Sequence, residues 1–302
     1  MDIFAGLDLG GSSLKYGYGN SVDGLKASYH KSHYNRGREE LYSLLSSAIH
    51  HIKGKIQESN SLKGIALGTP GFIDHLTGDV VGNCPNLNNW VGANPKTFLE
   101  DKFNIPVIVE NDADLMAFGE SDRENGTQSL LGITVGTGIG SGFVVNQQIY
   151  HGAHNSANEV GHTIIEQNGI QCLCGKRGCL EAYGSIPAIE AKAKSMFSKI
   201  QSIELILQTS KENREYSSFI KSIYDKLGIA IANAVTIIDP QEIIIGGGLT
   251  ECPSFSISPL KESIRSFLNE YQRNRVVIKE AKLKNKAGVW GGIVLVEEFI
   301  KQ

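Results

Sequence analysis

The sequence predicts a duplicated α/β fold with a cleft between its two halves. Two similar units, each a strand, a glycine turn and a return strand, begin near residues 3 and 130. Stretches with apolar residues at helical spacing follow each unit, as expected for helices that pack on a sheet. The chain has 302 residues, which is enough for two hydrophobic cores.

In the first half, short apolar or alternating runs that end at glycine or polar turns indicate strands, and a helical apolar period indicates helices. The predicted strands are residues 3–9, 14–19, 25–31, 65–68 and 107–109. The predicted helices are residues 39–57, 95–102 and 113–120.

The same criteria apply to the second half. They predict strands at residues 130–135, 142–146 and 242–245, and helices at 186–197, 203–209, 216–238 and 288–300. We assign residues 1–115 to an N-terminal domain and residues 116–287 to a C-terminal domain that carries a cysteine-rich segment. The last helix, within 288–302, is expected to pack back on the N-terminal domain.

Composition argues against several protein classes. An apolar content of 41%, a charged content of 20% and a net charge of −3 describe a soluble globular protein without a nucleic-acid surface. No apolar run is long enough to span a membrane. The chain has five cysteines and no signal-peptide pattern at its start, which favours a metal site in a reducing cytoplasm over disulfides.

Three glycine turns, at residues 10–11, 136–140 and 246–248, are candidate phosphate-binding loops. Glycine lets backbone N–H groups approach an anion closely. Around the first turn, Ser12 adds a hydroxyl, Lys15 a cation and Asp8 a carboxylate suited to Mg²⁺. The alternative is that the first two turns are plain hairpin turns. The residues predicted to bind the nucleotide and its metal are Asp8, Gly10, Gly11, Ser12, Lys15, Thr137, Gly138 and Gly247.

Asn111 and Asp112 follow a buried strand and precede a predicted helix. One interpretation is a helix N-cap, a position that both residue types favour. The other is catalytic: Asp112 accepts the proton of an attacking hydroxyl, while Asn111 orients the acceptor. Phosphoryl transfer needs one such base together with positioning and charge neutralisation.

A cysteine-rich segment supplies a complete ligand set for structural zinc, namely His162, Cys172, Cys174 and Cys179. Glu159 and Glu181 flank this set and are free to hold another ligand. Because Glu159 and His162 are three residues apart, they share one face of a helical turn. We expect His162 to bind the metal through one nitrogen and a sugar hydroxyl through the other. A core histidine and solvated glutamates are the alternatives.

These motifs together resemble the ROK family of repressors, open reading frames and sugar kinases, within the actin–hexokinase–chaperone ATPase superfamily. The resemblance runs in the family's order over nearly the whole chain. The matching segments are Asp8 to Gly11, Gly68 to Asp74, Cys84 to Trp90, Glu110 to Asp114, Gly136 to Gly140, Glu159 to His162 and Cys172 to Glu181.

The resemblance implies actin/hexokinase-like, ribonuclease H-like domains around a central cleft. It implies a kinase that uses ATP and Mg²⁺, carries structural Zn²⁺ and forms a homodimer. The implied general base is Asp112, and the implied Mg²⁺-associated carboxylate is Asp8. The implied sugar contacts are Gly71, Asn86, Asn111, Asp112, Glu159, His162 and Glu181.

Two positions depart from the family pattern. Ser12 replaces the usual threonine but keeps the hydroxyl, and Asn158 replaces a glycine. Asparagine tolerates a positive φ better than most residues, although its side chain would have the size to reshape a sugar pocket.

The expected substrate is a hexose, with glucose phosphorylated at its 6-hydroxyl as the first choice. An N-acetylhexosamine or fructose is the alternative. A non-catalytic sugar-sensing regulator is the alternative of another class. Repressors of the family carry an additional N-terminal helix-turn-helix segment, whereas a phosphate-binding strand is predicted here from residue 3, so DNA binding is not expected.

Overall fold

A computed structural model describes residues 1–32, 37–57, 59–121, 126–199 and 201–302. Two five-stranded sheets with helices on their faces form the molecule. The first half contains β1 (Asp2–Leu9), β2 (Ser13–Asn20), β3 (Gly24–Ser32), α1 (Arg38–Lys55), β4 (Ser61–Thr69), β5 (Phe72–Ile73), β6 (Val80–Gly82), α2 (Pro95–Phe103), β7 (Val107–Asn111) and α3 (Asp112–Glu120).

The second half begins with β8 (Ser129–Val135), β9 (Ile139–Val145), β10 (Gln148–Ile149), a 3₁₀ helix at Val160–His162 and α4 (Glu181–Gly184). It continues with α5 (Ile186–Phe197), α6 (Ile203–Ser210), α7 (Arg214–Ile238), β11 (Glu242–Gly246), α8 (Ile257–Ser266), α9 (Glu270–Arg273), β12 (Val277–Glu280), a 3₁₀ helix at Lys284–Lys286 and α10 (Ala287–Lys301).

The two sheets have matching topology. The first has the strand order β3-β2-β1-β4-β7 and the second β10-β9-β8-β11-β12. In each, an antiparallel hairpin is followed by parallel strands: β1 pairs with β2 antiparallel and with β4 parallel, as β8 does with β9 and β11. The glycine turns after β1 and β8 therefore occupy equivalent places, and the duplicated plan is confirmed.

Strand β1 has a different neighbour on each face. Leu7 and Leu9 belong to the apolar core that includes α1, whereas Phe4 packs with residues of α10. Gly6 shares the α10 face, and a Cβ there would lie 2.1 Å from the Val289 carbonyl oxygen. Since side chains alternate along a strand, Asp8 also points toward the α10 side.

Helices α3 and α10 form the layer between the sheets. Val289, Ile293 and Val296 of α10 pack on the first sheet. Residues 294 and 295 of α10 pack on a cluster that includes Ala117 and Phe118 of α3 and residues of the second sheet. The predicted domain boundary at residues 115/116 falls within α3, and the division into domains stays a prediction.

Five predicted bounds differ from the structure by two residues or more, among them the end of β7, at Asn111 rather than 109, and the start of α7, at Arg214 rather than 216. Strand β4 begins at Ser61 rather than at residue 65. Its first residues include polar, exposed ones, so they lack the apolar pattern on which the prediction relied. Strand β9 begins at Ile139 rather than at residue 142, so two predicted turn residues are already paired with β8. Helix α1 ends at Lys55 rather than at residue 57. Within the described residues, no helix has both the length and the apolar character to cross a membrane.

Candidate active site

A cleft of about 380 Å³ lies where the two sheets face each other across α3 and the glycine turns. The structure brings together at this cleft every residue predicted to contact sugar or nucleotide: Asp8, Gly10, Gly11, Ser12, Lys15, Gly71, Asn86, Asn111, Asp112, Thr137, Gly138, Glu159, His162, Glu181 and Gly247. Residues far apart in the chain thus share one concave surface, which is typical of a ligand site.

The N-cap of α3 is Asn111. Its side-chain oxygen accepts hydrogen bonds from the backbone N–H groups of Ala113 (2.9 Å) and Asp114 (3.3 Å), and its amide donates to the Gly71 carbonyl over 3.1 Å. Asp112 is the first residue of the helix, and one of its oxygens accepts from Ala113 N–H over 3.0 Å. Capping therefore occupies Asn111, whereas the Asp112 carboxylate is half-buried at the cleft surface.

Burial raises the pKa of Asp112 to about 7, and the nearby negative charge of Asp8 adds to this shift. The ammonium group of Lys15 and the backbone N–H of Ala113 act in the opposite direction. A carboxylate with a pKa near neutrality is suited to accept a proton at physiological pH.

Asp8 and Lys15 form an ion pair over 3.2 Å across β1 and β2. Asp8 also lies against the first turn of α10, where a Cβ at Gly288 would be 3.0 Å from its carboxylate. Glycine at 288 therefore gives Asp8 its space beside a helix N-terminus, where a negative charge is favoured.

The first two glycine turns are hairpin turns, and all three turns line the cleft, so their phosphate-binding role stays a prediction. In the first turn, Gly10 N–H donates to the Ser13 carbonyl over 2.8 Å. A Cβ at Gly11 would lie 3.2 Å from Cβ of Asn86 and 3.7 Å from a methyl carbon of Thr137, so the two turns approach each other. In the third turn, Gly247 has φ +86° and lies against the Val135 backbone, which leaves no room for a side chain.

Glu181 begins α4 and reaches the second glycine turn. One of its carboxylate oxygens accepts a hydrogen bond from Ile139 N–H over 2.9 Å. A Cβ at Gly138 would be only 2.6 Å from that oxygen. The glycine is therefore required for the approach of Glu181.

The four predicted zinc ligands converge. Their donor atoms all lie within 4.8 Å of one another. Cys174 Sγ is 3.6 Å from Cys179 Sγ, and Cys172 Sγ is 3.8 Å from His162 Nδ1. A tetrahedral zinc ion with Zn–S bonds of ~2.3 Å separates its sulfur ligands by about 3.8 Å, so the donor set fits this metal.

His162 connects the cysteine cluster with the cleft. Its Nδ1 faces the cysteines, while its Nε2 lies 3.7 Å from a Glu159 oxygen. The two residues lie on one 3₁₀ turn, as their spacing predicts. Burial and the negative charges of Glu181 and Asp112 raise the pKa of Glu159 to about 7.

Asn158 adopts the backbone conformation that its sequence position suggested, with φ +64°. Its side-chain amide donates to the Tyr150 carbonyl over 2.7 Å. Asn158 is not among the residues that line the cleft. The side chain is directed toward the Tyr150 carbonyl and Asp114, so an effect of its size on the sugar pocket stays a prediction.

Several cleft residues escaped the sequence analysis. Asn83 has φ +48°, and its amide lies 3.4 Å from a Glu159 oxygen. Ser141 donates to the Asn158 carbonyl, and Lys284 and Asn285 enter from the turn before α10. The Asn83-Cys84-Pro85-Asn86 segment carried a detectable turn signal, but nothing local indicated the approach of Lys284 and Asn285.

A larger cavity of about 1010 Å³ lies elsewhere, between α5 and α7. Its lining includes Met196, Phe197 and Phe219 and none of the predicted site residues. The convergent carboxylates and glycine turns belong to the smaller cleft, which is therefore the candidate active site.

Comparison with known proteins agrees with this geometry. The model of the ROK family matches residues 4–299. A glucokinase of Halalkalibacterium halodurans is 31% identical, over 98% of this chain and 95% of the relative. A xylose repressor of Caldicellulosiruptor bescii is also 31% identical, but over 86% of this chain and 69% of the repressor.

The fold is likewise that of a solved relative. The structure of a ROK family glucokinase from Streptomyces griseus, in complex with glucose and AMPPNP, superposes with a TM-score of 0.83. The sequence identity is 23%, and the match covers 98% of this chain and 99% of the other. The predicted actin/hexokinase-like fold is thereby confirmed. By sequence and by architecture, the chain belongs to the ROK family.

Proposed function

We propose that this protein is an ATP-dependent sugar kinase that phosphorylates a hexose, with glucose at its 6-hydroxyl as the first candidate. The similarity to a glucokinase over nearly the full length of both chains supports this activity. The solved relative that holds glucose and AMPPNP supports a fold able to accept both reactants.

The observation that carries the proposal is the Asp112 carboxylate at the surface of the cleft. Asn111 caps α3, so Asp112 is not needed for that purpose. In the proposed reaction, the sugar hydroxyl oxygen forms a bond to the γ-phosphorus while the bond from that phosphorus to the ADP oxygen breaks. Asp112 takes the hydroxyl proton, a transfer favoured by its raised pKa of about 7.

Sugar binding is assigned to the half of the cleft that contains Glu159, Glu181 and His162. Carboxylates and an imidazole are suitable partners for the hydroxyl groups of a hexose. Because a site that hydrogen-bonds a hydroxyl rejects analogues that lack it, this arrangement favours a polyhydroxylated substrate. Gly71, Asn86 and Asn111 line the cleft around the same region and complete the proposed contacts.

ATP binding is assigned to the glycine turns around Gly11, Gly138 and Gly247, with the backbone N–H groups as phosphate donors. Asp8 and the Ser12 hydroxyl are oxygen donors of the kind that Mg²⁺ prefers, and both line the cleft. When bound, Mg²⁺ would neutralise phosphate charge in the transition state. Lys15 neutralises Asp8 through their ion pair.

The cysteine cluster is assigned to structural Zn²⁺, which has no vacancy for a substrate once four protein ligands bind it. Its proposed role is to fix the segment between Glu159 and Glu181. His162 belongs to both sites, because one nitrogen faces the metal ligands and the other faces Glu159. A homodimer stays an expectation from the family resemblance, and a cytoplasmic location stays an expectation from the cysteine content.

The second candidate is a non-catalytic sugar sensor, which the similarity to a xylose repressor favours. A sensor needs the sugar contacts but has no chemical need for a base. The retained Asp112 with its raised pKa therefore favours catalysis.

The test is a coupled assay for ADP release with a panel of glucose, N-acetylglucosamine, N-acetylmannosamine, fructose and xylose. We expect sugar-dependent ADP release with one or more hexoses, and a 6-phosphate product by ³¹P NMR. Asp112→Asn should lower kcat by about 10²–10⁴-fold, the usual contribution of a general base. The exposed Asp101→Asn on α2 is the matched control. Sugar binding without ADP release from any sugar would support the sensor instead.

A further inference from the structure

A second group of potential metal ligands lies beside the cleft and has no part in the proposed reaction. His75 comes from the segment between β5 and β6, Glu110 from β7, and His151 from the segment after β10. Glu110 is almost completely buried, at 2% exposure. The first half of the molecule thus supplies His75 and Glu110, and the second half supplies His151.

The donor atoms of the three residues all lie within 4.8 Å of one another. His151 Nε2 lies 2.8 Å from Glu110 Oε2, and His75 Nδ1 lies 3.4 Å from the same oxygen. The imidazole rings face each other with centroids 3.6 Å apart. An ion that holds N and O donors at about 2.0–2.2 Å keeps them about 3.3 Å apart. The longer contact already has this spacing, and the shorter one must open by roughly 0.5 Å.

A small cavity adds an independent observation. It has a volume of about 20 Å³, enough for a single ion, and all three residues line it. Asp114 also lines the cavity, and its Oδ1 is buried without a hydrogen-bond partner. Buried polar atoms normally have a hydrogen-bond partner, so this oxygen makes the cavity a polar one. Burial and the negative charges of Glu110, Glu159 and Asp112 raise the pKa of Asp114 well above its usual range, while a hydrogen bond with the Asn158 side chain acts in the opposite direction.

We propose that His75, Glu110 and His151 form a second metal site, for a divalent transition-metal ion, in the small cavity that Asp114 also lines. Two imidazoles and a carboxylate suit ions such as Zn²⁺, Co²⁺ or Mn²⁺, and the absence of a thiolate among these three residues distinguishes this site from the cysteine cluster.

The site would link the two halves of the molecule next to the proposed base. Asn111 N–H donates to the other oxygen of Glu110 over 2.8 Å, so a metal on Glu110 holds the backbone directly before Asp112. The inference concerns the metal alone and stands whether or not the protein phosphorylates a sugar.

The test uses the purified protein with its cysteine cluster filled, verified as one zinc per chain. Co²⁺ is then added, and we expect one further equivalent to bind with visible d–d bands and without the near-ultraviolet thiolate band. X-ray absorption at the cobalt edge should give a first shell of N and O only. Co²⁺ should also raise the thermal midpoint, because a ligand that binds only the folded state stabilises it.

The variants His75→Asn and His151→Gln should each lose the second equivalent and the thermal shift while they retain the first zinc. His154→Gln changes an exposed histidine of the same loop and should retain both. Failure of the wild type to bind a second equivalent would overturn the proposal. So would a sulfur shell around cobalt, or unchanged binding in both histidine variants with native circular dichroism.

Discussion

The carboxylate of Glu181 accepts a hydrogen bond from the backbone N–H of Ile139 over 2.9 Å. This contact joins the end of the cysteine segment to the glycine turn after β8. A side chain assigned to the sugar therefore also supports a turn assigned to phosphate. The two proposed ligand sites are therefore connected, and substitutions at this junction should affect both.

Gly138→Ala tests the junction directly. Its Cβ would lie 2.6 Å from a Glu181 oxygen and would displace the carboxylate. We expect kcat/KM for the sugar to fall about tenfold or more, which corresponds to roughly 1.4 kcal/mol. The measurement is steady-state kinetics, and the control is Gly54→Ala in α1, where an added Cβ meets no other atom. Equal losses in both variants would count against the role of Glu181.

Loss of zinc should affect the sugar reaction first. Chelation or Cys174→Ser releases the segment between Glu159 and Glu181, whereas the turns after β1 and β11 stay in place. We expect sugar phosphorylation to be abolished more readily than ATP binding, measured by calorimetry. Cys252→Ser, outside the cluster, should be neutral. Full activity in a protein shown to be free of zinc would refute this prediction.

Activity should depend on pH near neutrality. The base must be unprotonated, and the pKa of Asp112 is about 7, so kcat/KM for the sugar should fall tenfold per pH unit below that value. Asp8→Asn removes a charge that raises this pKa and should move the acidic limb to lower pH. Lys15→Met removes a charge that lowers it and should move the limb to higher pH. Profiles that do not shift in opposite directions would exclude Asp112 as the titrating group.

Replacement of Asn158 by the glycine common in the family should leave sugar recognition unchanged. Its side chain contacts the Tyr150 carbonyl and Asp114, neither of which lines the cleft. We expect KM for the sugar to change by less than the equivalent of about 0.5 kcal/mol. Asn158→Ala should lower the thermal midpoint, because φ is +64° at this residue. A large change in the KM of Asn158→Gly would place the side chain in the pocket after all.

Thr69→Val should destabilise the first half. Trp90 Nε1–H donates to Thr69 Oγ1 over 2.7 Å, and both residues are fully buried. Valine keeps the volume but leaves this donor unpaired, at a cost of about 1–3 kcal/mol. Urea unfolding measures the loss, and Thr69→Ser should recover most of it. Identical midpoints for the wild type and Thr69→Val would show that another acceptor replaces the hydroxyl.

Most regular elements were predictable because their signals are local. Strand β8, helix α5 and helix α2 have the predicted starts to within one residue, since glycine turns and prolines mark them. The hairpin of β5 and β6 was missed, as were α8 and β12. A two-residue strand has no periodicity, and its pairing depends on residues distant in the chain.

The site was predictable in its residue types but not in its connections. The spacing of His162 and the cysteines indicated a metal cluster, and the donor atoms do converge. The choice between Asn111 and Asp112 as N-cap required the structure, because both residue types favour that position. Histidines 75 and 151 carried no shared signal, since their partnership depends on two segments that meet only in the folded chain.

The position of α10 in the chain has a consequence for biosynthesis. The face of the first sheet that carries Phe4 and Ala66 is covered by α10, and Asp8 lies against that helix's first turn. When residues 1–280 have left the ribosome, all strands of both sheets are therefore available. The apolar face that α10 will cover is still exposed, and the site beside α10 is still incomplete. That exposed surface is what a chaperone would recognise in the nascent protein, and early translational stops should yield aggregated rather than merely inactive chains.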